Sequence, residues 1–259
     1  MTGSAGVMTI VLAQTVAGGA VLLWATPLWT EVKRGFFTLT GSILTVVAMA
    51  SWLTAATGAA AGSEEGAWVV RLAAVTAVLT LAWVGLLLAR RQAAARAVGI
   101  VAAVVAVAVL FPIAQTARQD APIALFQLLA GAWFLGAVTD GLLLGHWYLT
   151  DRGLSRVPIN RYTNVLIGGV IAEALAVISG GFAGVGESAD FNPLLTAGAL
   201  APWIALGMVG VTALVAGFVR ATLKGERASA VQAATGFFYL AVVTAFTAEV
   251  AVKTRFLPR

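Results

Sequence analysis

Residues 123–149, IALFQLLAGAWFLGAVTDGLLLGHWYL, run for 27 positions with one carboxylate, one histidine and no Lys or Arg. A helix that crosses a bilayer needs roughly 20 mostly apolar residues. Lipid offers no partner to an unpaired backbone, so such a run is a helix. Working outward, seven further stretches read the same way, at 8–29, 36–57, 67–89, 97–116, 162–184, 195–219 and 229–250. They are too long and too continuously apolar for the alternating pattern of a barrel. The expected fold is therefore an all-α, polytopic membrane bundle of eight transmembrane helices, a single transmembrane domain over residues 1–259. Composition agrees: 60% of the 259 residues are hydrophobic and 10% are charged, too little polar surface for a soluble domain.

The cations set an orientation. Lys33 and Arg34, then Arg90, Arg91 and Arg96, then Arg152, Arg156 and Arg161, then Arg220, Lys224 and Arg227 follow spans one, three, five and seven. The other side holds Arg71, Arg118, Lys253, Arg255 and Arg259, together with Glu64, Glu65, Asp120, Glu187 and Asp190. Cationic loops stay in the cytoplasm, so both termini are expected outside a bacterial-type inner (plasma) membrane. The net charge of +5 is then an orientation signal, and nucleic acid is not an expected partner. The N-terminus has no basic residue ahead of its apolar run and reads as a first span.

Several chemistries are excluded. There is no cysteine, so the chain has no disulfide, thiolate-held cluster or covalent c-type haem. His146 is the only histidine, which rules out bis-histidine haem and multi-histidine copper or zinc sites within one chain. The loops are short, leaving no extramembrane domain. AATGAAAGSEEG (55–66) reads as a flexible outer loop and DRGLSRVPIN (151–160) as a structured inner one. WATPLWTEVKRGFF (24–37) and GHWYLTDRGLSRVPINRYT (145–163) share an aromatic exit, a basic loop and a re-entry, which suggests a four-plus-four duplication into 1–120 and 121–259. Most tryptophans fall at interfaces, while Trp24, Trp83 and Trp133 lie deeper. Pro27, Pro112 and Pro202 sit near helix ends and give no sign of a broken helix at mid-membrane.

The informative residues are ionisable groups inside the apolar runs, because these cost a few kcal/mol at mid-membrane and face a partner or a wet cavity. Asp140 in span five and Glu173 in span six each count to roughly 14–17 Å from the inner side at about 1.5 Å per residue. They are expected at one depth on neighbouring helices, where two carboxylates favour a shared proton. Gly169, Val170, Ala176 and Gly180 give Glu173 a small-residue face that turns it into the bundle, and GLLLG (141–145) lets a neighbour approach beside Asp140. His146, six residues on from Asp140, is the candidate inner-side partner. Asp140, Glu173 and His146 thus form the candidate proton-exchange site. The competing reading makes the acids interhelical glue and His146 an interfacial anchor. Glu249 and Arg71 read as interfacial, and Gln14, Gln115, Gln127 and Gln232 as interhelical hydrogen-bond donors.

In span number, and in combining a membrane-embedded acid with an interfacial histidine, the chain resembles the quinone-binding membrane subunits of the polysulfide reductase class. None of that family's motifs has a counterpart here. The expected function is an integral subunit of a respiratory or related electron-transfer assembly that contacts quinone or relays protons through buried carboxylates. It has no cofactor of its own, quinone is the candidate carrier, and its partners are the lipid bilayer and other membrane or redox subunits. The alternatives are a permease or channel for a small solute, or a structural membrane protein.

Overall fold

The computed structural model describes residues 1–25, 28–59, 62–151, 153–182, 193–225 and 229–257. Pro27, Arg152, Glu187, Asp190, Arg227 and Arg259, used in the sequence reading, lie outside them. The helices are α1 (Gly3–Ala25), the short α2 (Leu28–Glu31), α3 (Arg34–Gly58), α4 (Glu64–Leu88), α5 (Gln92–Gln115), α6 (Ala121–Thr150), α7 (Val157–Ser179), α8 (Pro193–Leu223) and α9 (Ser229–Lys253), with a 3-10 turn at Thr254–Phe256. Among the described residues there is no strand. Eight helices are long and apolar enough to cross a membrane, which makes the chain a multi-pass helical membrane protein.

Both termini lie at one end of the bundle, where the Thr2 N–H donates to the Gly58 carbonyl at 2.8 Å and Gly6 lies against Leu257. Helices α1, α3, α4 and α5 pack on one another in chain order, and α5 returns to α1. Helices α6, α7, α8 and α9 repeat the arrangement, with α9 returning to α6. The two groups meet along α1 and α6.

That junction is backbone on backbone. A Cβ built on Gly18 would stand 1.7 Å from the Ala132 carbonyl oxygen, and one on Gly136 would stand 2.3 Å from the Gly18 carbonyl carbon. In lipid, where apolar side chains gain nothing by leaving solvent, glycine at such a crossing gives the close contact that holds helices together. Helix α1 has no charged residue to draw it to the surface. Of its most apolar window 78% is buried, against 39% for α4 and for α8, so α1 is core and those two are lipid-facing walls. At the end opposite the termini the halves are tied by ion pairs, Lys33 to Asp151 at 3.0 Å and Arg161 to Glu31 at 3.1 Å. There Trp24, Trp29, Phe37 and Trp83 gather into one aromatic cluster, with Arg96 over the Trp29 ring.

Several helices start earlier than the hydropathy reading, α1 at Gly3 and α5 at Gln92 among them. Helix α7 begins at Val157, not near 162, because Pro158 sits in its first turn, where proline costs no hydrogen bond. It stops at Ser179, and Gly181 then takes φ +71°. The first turn of α7 carries Asn160 and Arg161, which a search for apolar runs reads as loop. Both ends of the 55–66 stretch are helical: α3 continues to Gly58, and Ser63 caps α4 by accepting the Gly66 N–H at 3.0 Å.

Candidate functional site

The earlier start of α7 separates the two acids that the sequence places together. Tyr162 of α7 donates to Asp140 of α6 at 3.1 Å, Gly169 packs on the backbone of Phe134, and Gln127 donates to the Ala176 carbonyl at 3.1 Å. In this antiparallel register Glu173 stands level with Ala130 and Gly131. Asp140 is about ten residues further along, roughly 15 Å at about 1.5 Å per residue. The expectation of one shared depth is therefore corrected: Asp140 on α6 and Glu173 on α7 stand at two different levels along the α6–α7 pair.

The level nearer the termini is a buried polar cluster drawn from four helices. Glu173 (α7) is 1% exposed and interacts electrostatically with Glu249 and Lys253 of α9. Lys253 Nζ lies 3.1 Å from Glu249 Oε2 and donates to the Gln127 carbonyl of α6 at 3.2 Å, and neither member of this ion pair reaches solvent. Gln14 of α1 donates through Nε2 to the Leu128 carbonyl at 3.1 Å. Gly131 is the floor, for a Cβ there would stand 2.1 Å from Gln14 Nε2 and 2.5 Å and 2.7 Å from the two Glu249 oxygens. Two readings change here. Glu249 is not interfacial and Lys253 is not a loop cation; both are fully buried. Apolar counting missed them because α9 continues past residue 250 to Lys253, where each acquires a partner. An acid and a lysine four apart on one helix face were the available signal. The expectation for Gln14 and Gln127 as interhelical donors holds, while Gln115 and Gln232 face outward.

Asp140 is wholly buried, and its second oxygen, Oδ1, has no hydrogen-bond partner. It looks towards Gly19 of α1, whose Cβ would lie 3.3 Å from it. Gly141 and Gly145 do admit close neighbours, but these are the Phe238 and Thr235 side chains of α9, not a backbone. His146 is not part of this site. It is exposed, and its Nδ1 lies 3.1 Å from the Tyr239 hydroxyl of α9.

Orphaned buried atoms follow a pattern. Among the described residues, the buried carboxylate and amide oxygens without a hydrogen bond are Gln14 Oε1, Glu173 Oε2, both Glu249 oxygens, of which Oε2 is ion-paired with Lys253, and Asp140 Oδ1. All five belong to the two levels just described. Between the levels, α6 presents Ala132, Phe134, Leu135, Ala137 and Val138, all buried, and the Gly18–Gly136 crossing. The one polar side chain of α6 between the levels is Thr139, whose buried hydroxyl has no hydrogen-bond partner. Among the described residues no group of three His, Cys, Asp or Glu side chains is placed to hold a metal ion.

No protein-family model matches the chain, and neither the curated proteins nor the solved structures searched gave a match. The functional reading therefore rests on the two levels.

Proposed function

We propose that the protein relays protons within the membrane, with the Glu173–Glu249–Lys253 cluster and Asp140 as successive proton-holding stations. The observation that carries this is the charge count of the buried cluster. Two carboxylates and one ammonium, sealed from water, leave one negative charge uncompensated, and an isolated buried charge is too costly to stand. One proton between Glu173 and Glu249 restores neutrality. Asp140 needs one more, which its unpartnered Oδ1 can carry. The relay is gated, because the Gly18–Gly136 crossing lies between the stations and excludes water unless α1 and α6 part. On the cation distribution the terminus end faces outward, so the cluster is the outer station and Asp140 the inner one.

The finer reading, a subunit that exchanges these protons with quinone in an electron-transfer assembly of the inner membrane, has one supporting feature. A lipid-facing groove of about 570 Å³ runs between α1 and α5, lined by Val21, Trp24, Ile100, Val104, Val107 and Phe111, and is suited to an isoprenoid tail. A solute permease has less support, since α6 offers only the Thr139 hydroxyl as a polar group between the stations.

The test is proton entry into sealed vesicles that contain the purified protein and a pH-sensitive dye, driven by a potassium diffusion potential. Wild type is expected to admit protons under the imposed potential, and Glu173→Gln and Asp140→Asn to lose most of that flux. Wild-type rates in both variants, or no flux from wild type, would refute the relay.

A further inference from the structure

The uncompensated charge of the outer cluster can be met by something other than a proton. We propose that the free oxygens of Gln14, Glu173 and Glu249 form a binding site for a small monovalent cation, sodium. The inference builds on the cluster of the proposed relay but does not require proton transfer.

Four observations point to it. The unpartnered atoms of the cluster are all oxygens, Gln14 Oε1, Glu173 Oε2 and Glu249 Oε1, while Glu249 Oε2 is ion-paired with Lys253. Gln14 is 0% exposed, and its Nε2 is committed to the Leu128 carbonyl, which fixes the amide so that Oε1 is the free acceptor. Gln14 Nε2 and both Glu249 oxygens take the space that a side chain at residue 131 would need, so the cluster assembles only against a glycine. Lys253 already supplies one positive charge through its 3.1 Å contact with Glu249 Oε2.

Charge then selects the ligand. With both acids ionised the cluster carries one net negative charge, so a monovalent ion brings it to neutrality and a divalent ion would overshoot. Hard oxygen donors suit an alkali cation. The crowding over Gly131 favours the smaller sodium ion over potassium. Proton and sodium satisfy the same vacancy and so exclude one another, which makes occupancy depend on both pH and salt.

The experiment uses the full chain in detergent, with choline chloride replaced by sodium chloride at constant ionic strength. The readouts are the thermal midpoint, followed by tryptophan fluorescence, and bound radioactive sodium. Wild type is expected to show a saturable sodium-dependent rise that potassium reproduces only weakly, with apparent affinity falling as pH is lowered. Glu173→Gln removes the charge that calls for the ion and should abolish binding. Gln14→Leu removes one ligand and should weaken binding by about tenfold. Identical behaviour in sodium and choline, or wild-type binding by Glu173→Gln, would overturn the proposal. The salt and pH comparison on wild type decides the matter even if a variant misfolds. Proton flux measured in sodium-free vesicles keeps the two readings separate: flux without sodium binding overturns only the cation site, and sodium binding without flux overturns only the relay.

Discussion

Tyr162 donates its phenolic hydrogen to Asp140 at 3.1 Å, and both side chains are 0% exposed, so each is the other's means of residing in the bundle. A buried polar group left without its partner costs about 1–3 kcal/mol. Tyr162→Phe strands both carboxyl oxygens and is expected to destabilise the protein by about that amount, read as a lower unfolding midpoint in detergent. Asp140→Asn keeps an acceptor for the hydroxyl and should cost less. Equal losses from the two variants would show that the pair is not the unit that matters.

Lys253 and Glu249 give a sharper contrast. Lys253→Met leaves buried carboxylates with no cation, and breaking a buried pair from one side costs about 3–5 kcal/mol. Removing both charges in Glu249→Gln/Lys253→Met should recover most of that loss, because the pair itself contributes little beyond its own desolvation. A double-mutant cycle on the unfolding midpoint measures the coupling, and additive effects would contradict the contact.

The α1–α6 crossing tolerates no side chain. Gly18→Ala brings a Cβ within 1.7 Å of the Ala132 carbonyl oxygen, and backbone cannot yield as a flexible side chain does. We expect loss of monodisperse protein on gel filtration. By contrast Gly207→Ala meets nothing within 4 Å and should behave as wild type.

His146 is exposed and touches Tyr239 alone among the described hydrogen-bond partners. His146→Ala should change stability by less than about 0.5 kcal/mol and leave proton flux intact. A flux defect equal to that of Asp140→Asn would return His146 to the site from which its position removes it.

What the sequence made legible followed from solvent. Eight long apolar runs have one outcome in lipid, and the small-residue face around Glu173 correctly turned it inward. Depth was not legible, because it depends on where a helix begins. Pro158 starts α7 five residues before its apolar run and moves Glu173 away from Asp140's level. Glu249 and Lys253 were misread for a related reason. A charged residue near the end of an apolar run looks interfacial, and only the packing of α9 against α6 and α1 shows that neighbours close over it.

Gly18 and Gly136 are 118 positions apart (136 − 18), and so are Lys33 and Asp151 (151 − 33), while Glu31 and Arg161 are 130 apart (161 − 31), so two of the contacts that join the rings keep one spacing. Each ring closes on its own first helix and relies on the other along a single seam. The protein should therefore be divisible. Two polypeptides, 1–117 and 118–259, co-expressed without a covalent link, are expected to copurify through a tag on either one. The seam supplies the shape, while among the described residues the buried charges, Asp140, Glu173, Glu249 and Lys253, all stay with the second piece and Gln14 reaches them from the first.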